Sequence, residues 1–446
     1  MRPATLSRLR MILLACAAAL GAAGCQQPLR TPEHLLARGE YGQARIERYK
    51  RMSRDRNDRG YLLDRMSVGV LTLADGHPDS AQTIFEEVYD VLRTQGINRD
   101  RTVASLVINE DLKIWKGEPF EQALALAYYA MTQAELGSWD NARAAADNSL
   151  FYLRDFGRDD EGGELDTYEI ARRSLLYERA IEAGQSPEEA SRQADYLDHG
   201  YVVRDTDFTL GHLLHAIADQ QLGRMEEASD HLTRAAELNP QLDPLIEALR
   251  QNRYNTVLVV SWGLGPRKEG YGPDRALGRF VPRFPSDGAR LYVRVGSLPG
   301  RAYPQVLDVN RMAKDHRWNN LEDVRRAKSL LGTGLLYGGA AAAIIGANHN
   351  SDAALYAGLS AMAAGAFLKA GAHVDERYAD VIPQRFYVVP LNLRDPWEPI
   401  ELQIEGVPSS RLVLTGLGGP AGPEAQLRYV RLLSQRDRRA SPPSWA

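Results

Sequence analysis

The feature that most limits what this chain can fold into is a turn that recurs between residues 37 and 240. It appears in "ARGEYGQA" (37–44), "ADGHPDSAQTIFEEV" (74–88), "ELGSWDNARAAADNSL" (135–150) and "QLGRMEEASDHLTRAAELNP" (221–240). Each copy places Gly, a second residue two positions on and Ala five positions on: Gly39/Tyr41/Ala44, Gly76/Pro78/Ala81, Gly137/Trp139/Ala142 and Gly223/Met225/Ala228. Gly accepts the left-handed conformation that ends one helix, the second residue packs over the turn, and Ala lets the next helix approach closely. Flanking apolar residues recur at helical spacing, so residues 32–252 are predicted to form helix pairs.

This pattern resembles the tetratricopeptide repeat. The last copy carries Ala216, Gly223, Ala228, Leu232, Ala235 and Pro240 at that family's spacing, and the second carries Gly69, Gly76, Ala81 and Phe85. The resemblance implies an inner surface made by the first helix of each pair. It puts Leu124, Ala127 and Met131 there in one copy, and Leu210, Leu213 and Ile217 in another. So apolar a surface is expected to bind a protein partner's apolar helix or the chain's own apolar hairpin at 330–372.

Beyond about residue 252 the pattern becomes extended. "TVLVVSW" (256–262), "ARLYVRV" (289–295), "YPQVLDV" (303–309), "RFYVVPL" (385–391), "EPIELQI" (398–404) and "RLVLTG" (411–416) are rich in β-branched residues and punctuated by Gly and Pro. Six strands are predicted, with helix across 321–372, which makes the fold class α+β multidomain. The expected divisions are a signal peptide at 1–24, a tetratricopeptide-like domain at 25–252, an α+β domain at 253–434 with an inserted helical hairpin at 330–372, and a disordered tail at 435–446.

Two weakly polar runs, 330–347 and 353–372, form that hairpin. Their Leu and Ile residues are few among Gly and Ala, and Lys369 opposes insertion, so the drive into a bilayer is weak. Gly334, Gly338, Gly358 and Gly365 instead allow two helix backbones to pack closely. The alternative is a membrane-active hairpin that inserts or oligomerises.

The first residues specify export. Arg2, Arg8 and Arg10 precede an apolar stretch from Met11 to Leu20, and Ala22, Ala23 and Gly24 lead to Cys25. This resembles the lipobox of bacterial lipoproteins, which implies cleavage before Cys25 and acylation there, palmitate included. Gln26 in place of aspartate implies the outer membrane, with the chain facing the periplasm. Cleavage would leave Cys25 as the only cysteine, so neither an intrachain disulfide nor a cysteine metal site is expected. The net charge of −4, made more negative by loss of the leader's arginines, argues against nucleic acid.

"WKGEPFEQALALAYYAMTQAELG" (115–137), "WGLGPRKEG" (262–270) and "DERYADVIPQRF" (375–386) are similar to segments of a family of uncharacterised bacterial tetratricopeptide lipoproteins. The resemblance implies an envelope protein, and some members are associated with an accessory factor in peptidoglycan assembly. In "GLGPRKEG" Lys268 stands where a nucleotide loop needs glycine, so this is read as a turn, with Arg267 and Lys268 available to a partner.

His212 and His215 share a helical face and His231 lies one helix later, but His212 falls at a repeat packing position and no HExxH pattern is present. The reading is packing, with no metal and no cofactor. No GxSxG elbow appears, and the acidic "RDDEGGELD" (158–166) reads as a solvated loop, so no enzyme is expected. Arg45, Arg48, Lys50, Arg51, Arg54, Arg56 and Arg59 read as a solvated basic helix face, or one lying on anionic lipid. Composition, 44% hydrophobic and 25% charged, fits a globular chain. The combined expectation is a lipid-anchored envelope scaffold or adaptor that binds envelope proteins.

Overall fold

The computed structural model describes residues 31–94, 115–153, 208–271, 277–283, 289–313, 376–417 and 425–433, except 57, 116 and 152, together with 184–186 and 189. Cys25, the hairpin at 330–372 and the tail at 435–446 lie outside the described residues.

Helices occupy the N-terminal part. They are α1 (Glu33–Ala37), α2 (Tyr41–Arg51), α3 (Tyr61–Ala74), α4 (Pro78–Thr94), α5 (Pro119–Glu135), α6 (Trp139–Phe151), α7 (Thr209–Gln221), α8 (Met225–Leu238) and α9 (Asp243–Arg250). The recurrent turn joins α1 to α2, α3 to α4, α5 to α6 and α7 to α8. Gly39, Gly76, Gly137 and Gly223 have φ of 71°, 79°, 74° and 74°. At each, the glycine N–H donates three residues back and the next N–H donates five residues back, at 2.8 to 3.2 Å. That pair of bonds satisfies carbonyls which a helix end otherwise leaves open.

The alanines five positions on, Ala44, Ala81, Ala142 and Ala228, are all buried. Close approach also explains Gly69, where an added Cβ would stand 2.9 Å from the Phe85 ring. One expectation is corrected. Met225, at the second position of the last turn, is exposed and does not pack over it as Tyr41 and Trp139 do over theirs.

The C-terminal part is built of strands. Those described are β1 (Thr256–Trp262), β2 (Arg267–Tyr271), β3 (Leu277–Val281), β4 (Leu291–Val295), β5 (Arg301–Tyr303), β6 (Leu307–Asp308), β7 (Arg385–Leu391), β8 (Ile400–Ile404), β9 (Val407–Leu414) and β10 (Gln426–Leu432), with a short helix α10 (Val309–Ala313) after β6. They make two four-stranded sheets, β10-β1-β7-β6 and β5-β4-β8-β9, and a β2-β3 hairpin. In the first sheet β1 pairs parallel with β10 and antiparallel with β7.

Alternation along the strands fixes the layers. Val257 and Val259 of β1, Phe386 and Val388 of β7, and Leu427 and Tyr429 of β10 join the hydrophobic cluster of the helices. Their neighbours Leu258, Val260, Tyr387, Val389, Val430 and Leu432 join a second cluster with Leu291, Val293, Ile400 and Leu402 of the other sheet. The first sheet is therefore covered on both faces, which is why every residue of β1 is buried and Val257–Val260 run apolar without alternation. Outer helices, inner helices, sheet and second sheet follow in order.

The turn geometry leads to a direct test. No heavy atom lies within 4 Å of a Cβ added at Gly137 or Gly223, so alanine there changes backbone strain alone. Gly137→Ala and Gly223→Ala should each lower stability by about 1–2 kcal/mol, with asparagine less costly. Urea unfolding midpoints check this, and unchanged midpoints in both variants would contradict it.

Candidate functional site

The inner helices α3, α5 and α7 bury nearly every residue, polar ones included. Leu124 and Met131 on α5, and Leu210, Leu213 and Ile217 on α7, are 0% exposed. The expectation of an open apolar binding surface is thereby corrected. They share one cluster with Val257, Val259, Phe386, Val388 and Tyr429, so among the described residues the chain's own first sheet covers the inner face. Tyr128 of α5 marks the junction, meeting the Phe386 and Tyr429 rings edge-on and placing its hydroxyl 3.2 Å from that of Tyr429. The Thr209 hydroxyl donates to the Val306 carbonyl across the same seam.

Beside this junction the structure brings together the three segments singled out in the sequence. The Lys268 ammonium pairs with Glu118 of "GEPFE" at 2.5 Å. Glu121, three residues on, accepts from the Glu118 N–H at 2.8 Å and from the Ala379 N–H of "DERYADVIP" at 2.7 Å. Trp115 donates its indole N–H to the Arg377 carbonyl, and the Gly265 N–H donates to the Ile382 carbonyl. Gly265 must lack a side chain, since an added Cβ would stand 2.8 Å from the Pro383 carbonyl oxygen. Lys268 is thus buried and committed to Glu118, which corrects its reading as a surface contact, while Arg267 remains exposed beside Glu269.

A second polar knot adjoins the first. Arg48 is 1% exposed, so it leaves the solvated basic face on which it was expected. Its guanidinium donates to Asp64 at 3.0 Å, to the Thr31 hydroxyl at 3.0 Å and to Asp380 at 3.2 Å. The Thr31 N–H also donates to Asp380, and Arg283 donates to the Asp380 carbonyl. Burial pushes Asp64 above the usual carboxylate range against the pull of Arg48. Burial likewise raises Glu121 from 4.5 to about 7, opposed by its two backbone donors. No sequence pattern had linked Arg48 and Asp64 to Asp380, which lies 332 residues from Arg48.

The histidines do converge. His212, His215 and Asp219 line one face of α7, and His231 of α8 closes over them. The Nδ1 atoms of His212 and His231 are 3.0 Å apart, and the His215 and His231 rings stack at 3.9 Å. Asp219, which the sequence reading overlooked, is fully buried and meets His215 Nδ1 at 2.7 Å and Arg143 Nε at 2.9 Å. Burial lowers His212 to about 3 and His231 to about 4, so both imidazoles are neutral near pH 7. An i,i+3,i+7 reading that included Asp219 would have found the face.

Among the described residues no helix is long and apolar enough to cross a membrane. Comparison with protein-family models, with curated proteins and with solved structures gave no match to this chain.

Two outcomes follow from the polar knots. Arg48→Met leaves Asp64 and Asp380 buried together without their cation, and should cost about 3–5 kcal/mol. Adding Asp64→Leu and Asp380→Leu should recover most of that loss. Denaturant titration of both variants decides it, and equal loss in both would show that packing rather than charge is at stake.

Glu121 gives a pH dependence. Its folded pKa of about 7 exceeds its ordinary 4.5, so its contribution is fully present below about 4.5 and lost as pH rises through about 7. The change amounts to about 3 kcal/mol. Glu121→Gln, which cannot ionise, should flatten that part of the stability profile. An unchanged slope between the two pKa values would refute the assignment.

Proposed function

We propose that the chain is a lipid-anchored envelope scaffold or adaptor, and that its helix pairs are tetratricopeptide-like. Four turns with one hydrogen-bond pattern and a buried alanine at a fixed offset support the repeat reading. The export leader and lipobox-like sequence before Cys25 support the anchor. Thr31, held by Asp380 and Arg48, lies six residues beyond Cys25, a reach of about 20 Å when extended. Lipidation at Cys25 would therefore bring α2, with exposed Ile46, Tyr49, Lys50 and Arg51, close to the headgroups.

Partner binding has to use outer surfaces, because the inner face is filled. The observation that carries this reading is Trp397, 69% exposed, in the loop before β8. Leu298, 59% exposed, sits in the turn after β4, and the two loops are joined by the Gly296 N–H donating to the Pro399 carbonyl. Exposed tryptophan with an aliphatic neighbour is the composition of a binding hot spot.

Photo-crosslinking in intact envelopes tests the assignment. A photoreactive residue at 397 should trap neighbouring envelope proteins, and one at 213, inside the closed face, should trap none. Adducts at 213 without adducts at 397 would reverse the assignment of surfaces, and adducts at neither would leave the scaffold reading without a partner site.

A further inference from the structure

The histidine cluster has features that core packing does not need. Three imidazoles and a carboxylate meet at one place between α7 and α8, although neither helix requires polar residues there to pack. His215, Asp219 and His231 each offer a ligand atom, and these lie within 4.8 Å of one another. Around a tetrahedral ion with bonds of about 2.0–2.2 Å, ligand atoms stand roughly 3.3 Å apart. A closure of about 1.5 Å on loading would bring them to that spacing.

We propose that His215, Asp219 and His231 bind a divalent transition metal ion of the zinc class, bridging α7 and α8. Two imidazole nitrogens and a carboxylate oxygen suit such an ion, and the carboxylate offsets part of its charge. His231, only partly buried, leaves an entry path from solvent. His212 is the positioning residue. With one proton shared between the facing Nδ1 atoms, its ring fixes the orientation and tautomer of His231. Arg143 holds the other oxygen of Asp219 and orients the carboxylate, and the His215–Asp219 hydrogen bond exchanges for the metal bond on loading.

The ion would act as a staple. Binding to the folded chain alone raises its stability by mass action, and here the gain would fall on the last helix pair. The turn at Gly223 fixes where α8 begins relative to α7, so the ion adds a cross-link to a pair already set in register.

The test uses the untagged full chain, stripped with chelator and then given Zn2+ alone. Elemental analysis after gel filtration should show one zinc per chain, with a raised melting temperature reversed by chelator. His231→Ala should lose both effects, while His77→Ala, at a half-buried histidine elsewhere, should keep them. A wild-type chain that retains no zinc, or a folded His231→Ala chain that still retains one, overturns the site. Should His231→Ala fail to fold, Co2+ in the wild-type chain decides instead. Intense visible absorption, abolished by added Zn2+, supports the site, and its absence refutes it.

Discussion

Arg48 carries a positive charge into a place water barely reaches, and the junction between the helical and sheet parts is organised around it. Asp64 lies on α3, Asp380 in the segment before β7, and Thr31 at the start of the described chain. Two nearby segments and one 332 residues away therefore meet at one guanidinium. Such a cluster adds little net stability over apolar side chains of the same shape, because desolvation of the ions offsets most of their attraction. Its effect is directional: Nε and Nη1 of Arg48 reach Asp64, Thr31 and Asp380 in only one relative placement of these segments.

The same logic extends along the seam. Lys268 with Glu118, Glu121 with the Ala379 N–H, and Trp115 with the Arg377 carbonyl hold the sheet part against the N-terminal end of α5. Farther on, Tyr429 gives its N–H to Glu135, and the Ala425 N–H donates to the Gln221 side chain. Between these polar contacts the surfaces are apolar, with Tyr128, Phe386 and Leu124 in one cluster. Closure of the inner face leaves Trp397 and Leu298, in the loops before β8 and after β4, as the most exposed large apolar side chains among the described residues of the strand-rich part.

Much of this architecture is legible in the residues. The glycine-to-alanine offset locates the turns that join α1 to α2, α3 to α4, α5 to α6 and α7 to α8, and β1 and β7 fall where "TVLVVSW" and "RFYVVPL" predict them. Alternation fails to reveal β10, because Arg428 and Arg431 interrupt it while pairing with groups in the helices and the Gly263 turn. The hairpin β2-β3 escapes for a similar reason, since "RKEGY" is charged and contains glycine. Helices α3, α5 and α7 are apolar around most of their circumference, a signal of cover on both sides. Reading α5 and α7 as the lining of an open groove gave that signal too little weight. The three motif segments stand out in sequence, but their convergence rests on contacts across more than a hundred residues, which no local pattern encodes.

Polar groups at this seam answer a problem that apolar packing cannot solve. Burial of Leu, Val and Phe lowers the free energy by area removed from water and is nearly indifferent to direction, so an apolar helix layer on an apolar sheet has many placements of similar energy. Hydrogen bonds at 2.7 to 3.2 Å to Glu121, Asp64 and Asp380 are lost on a shift of a single residue. A slipped placement would strand buried charges, each costing several kcal/mol, and so lies far above the native one. The fixed register then positions the rest of the sheet part, including the joined loops that expose Leu298 and Trp397. On this argument the chain's buried ions define where its outer surfaces stand relative to the helical part, and the apolar core supplies the stability that holds them there.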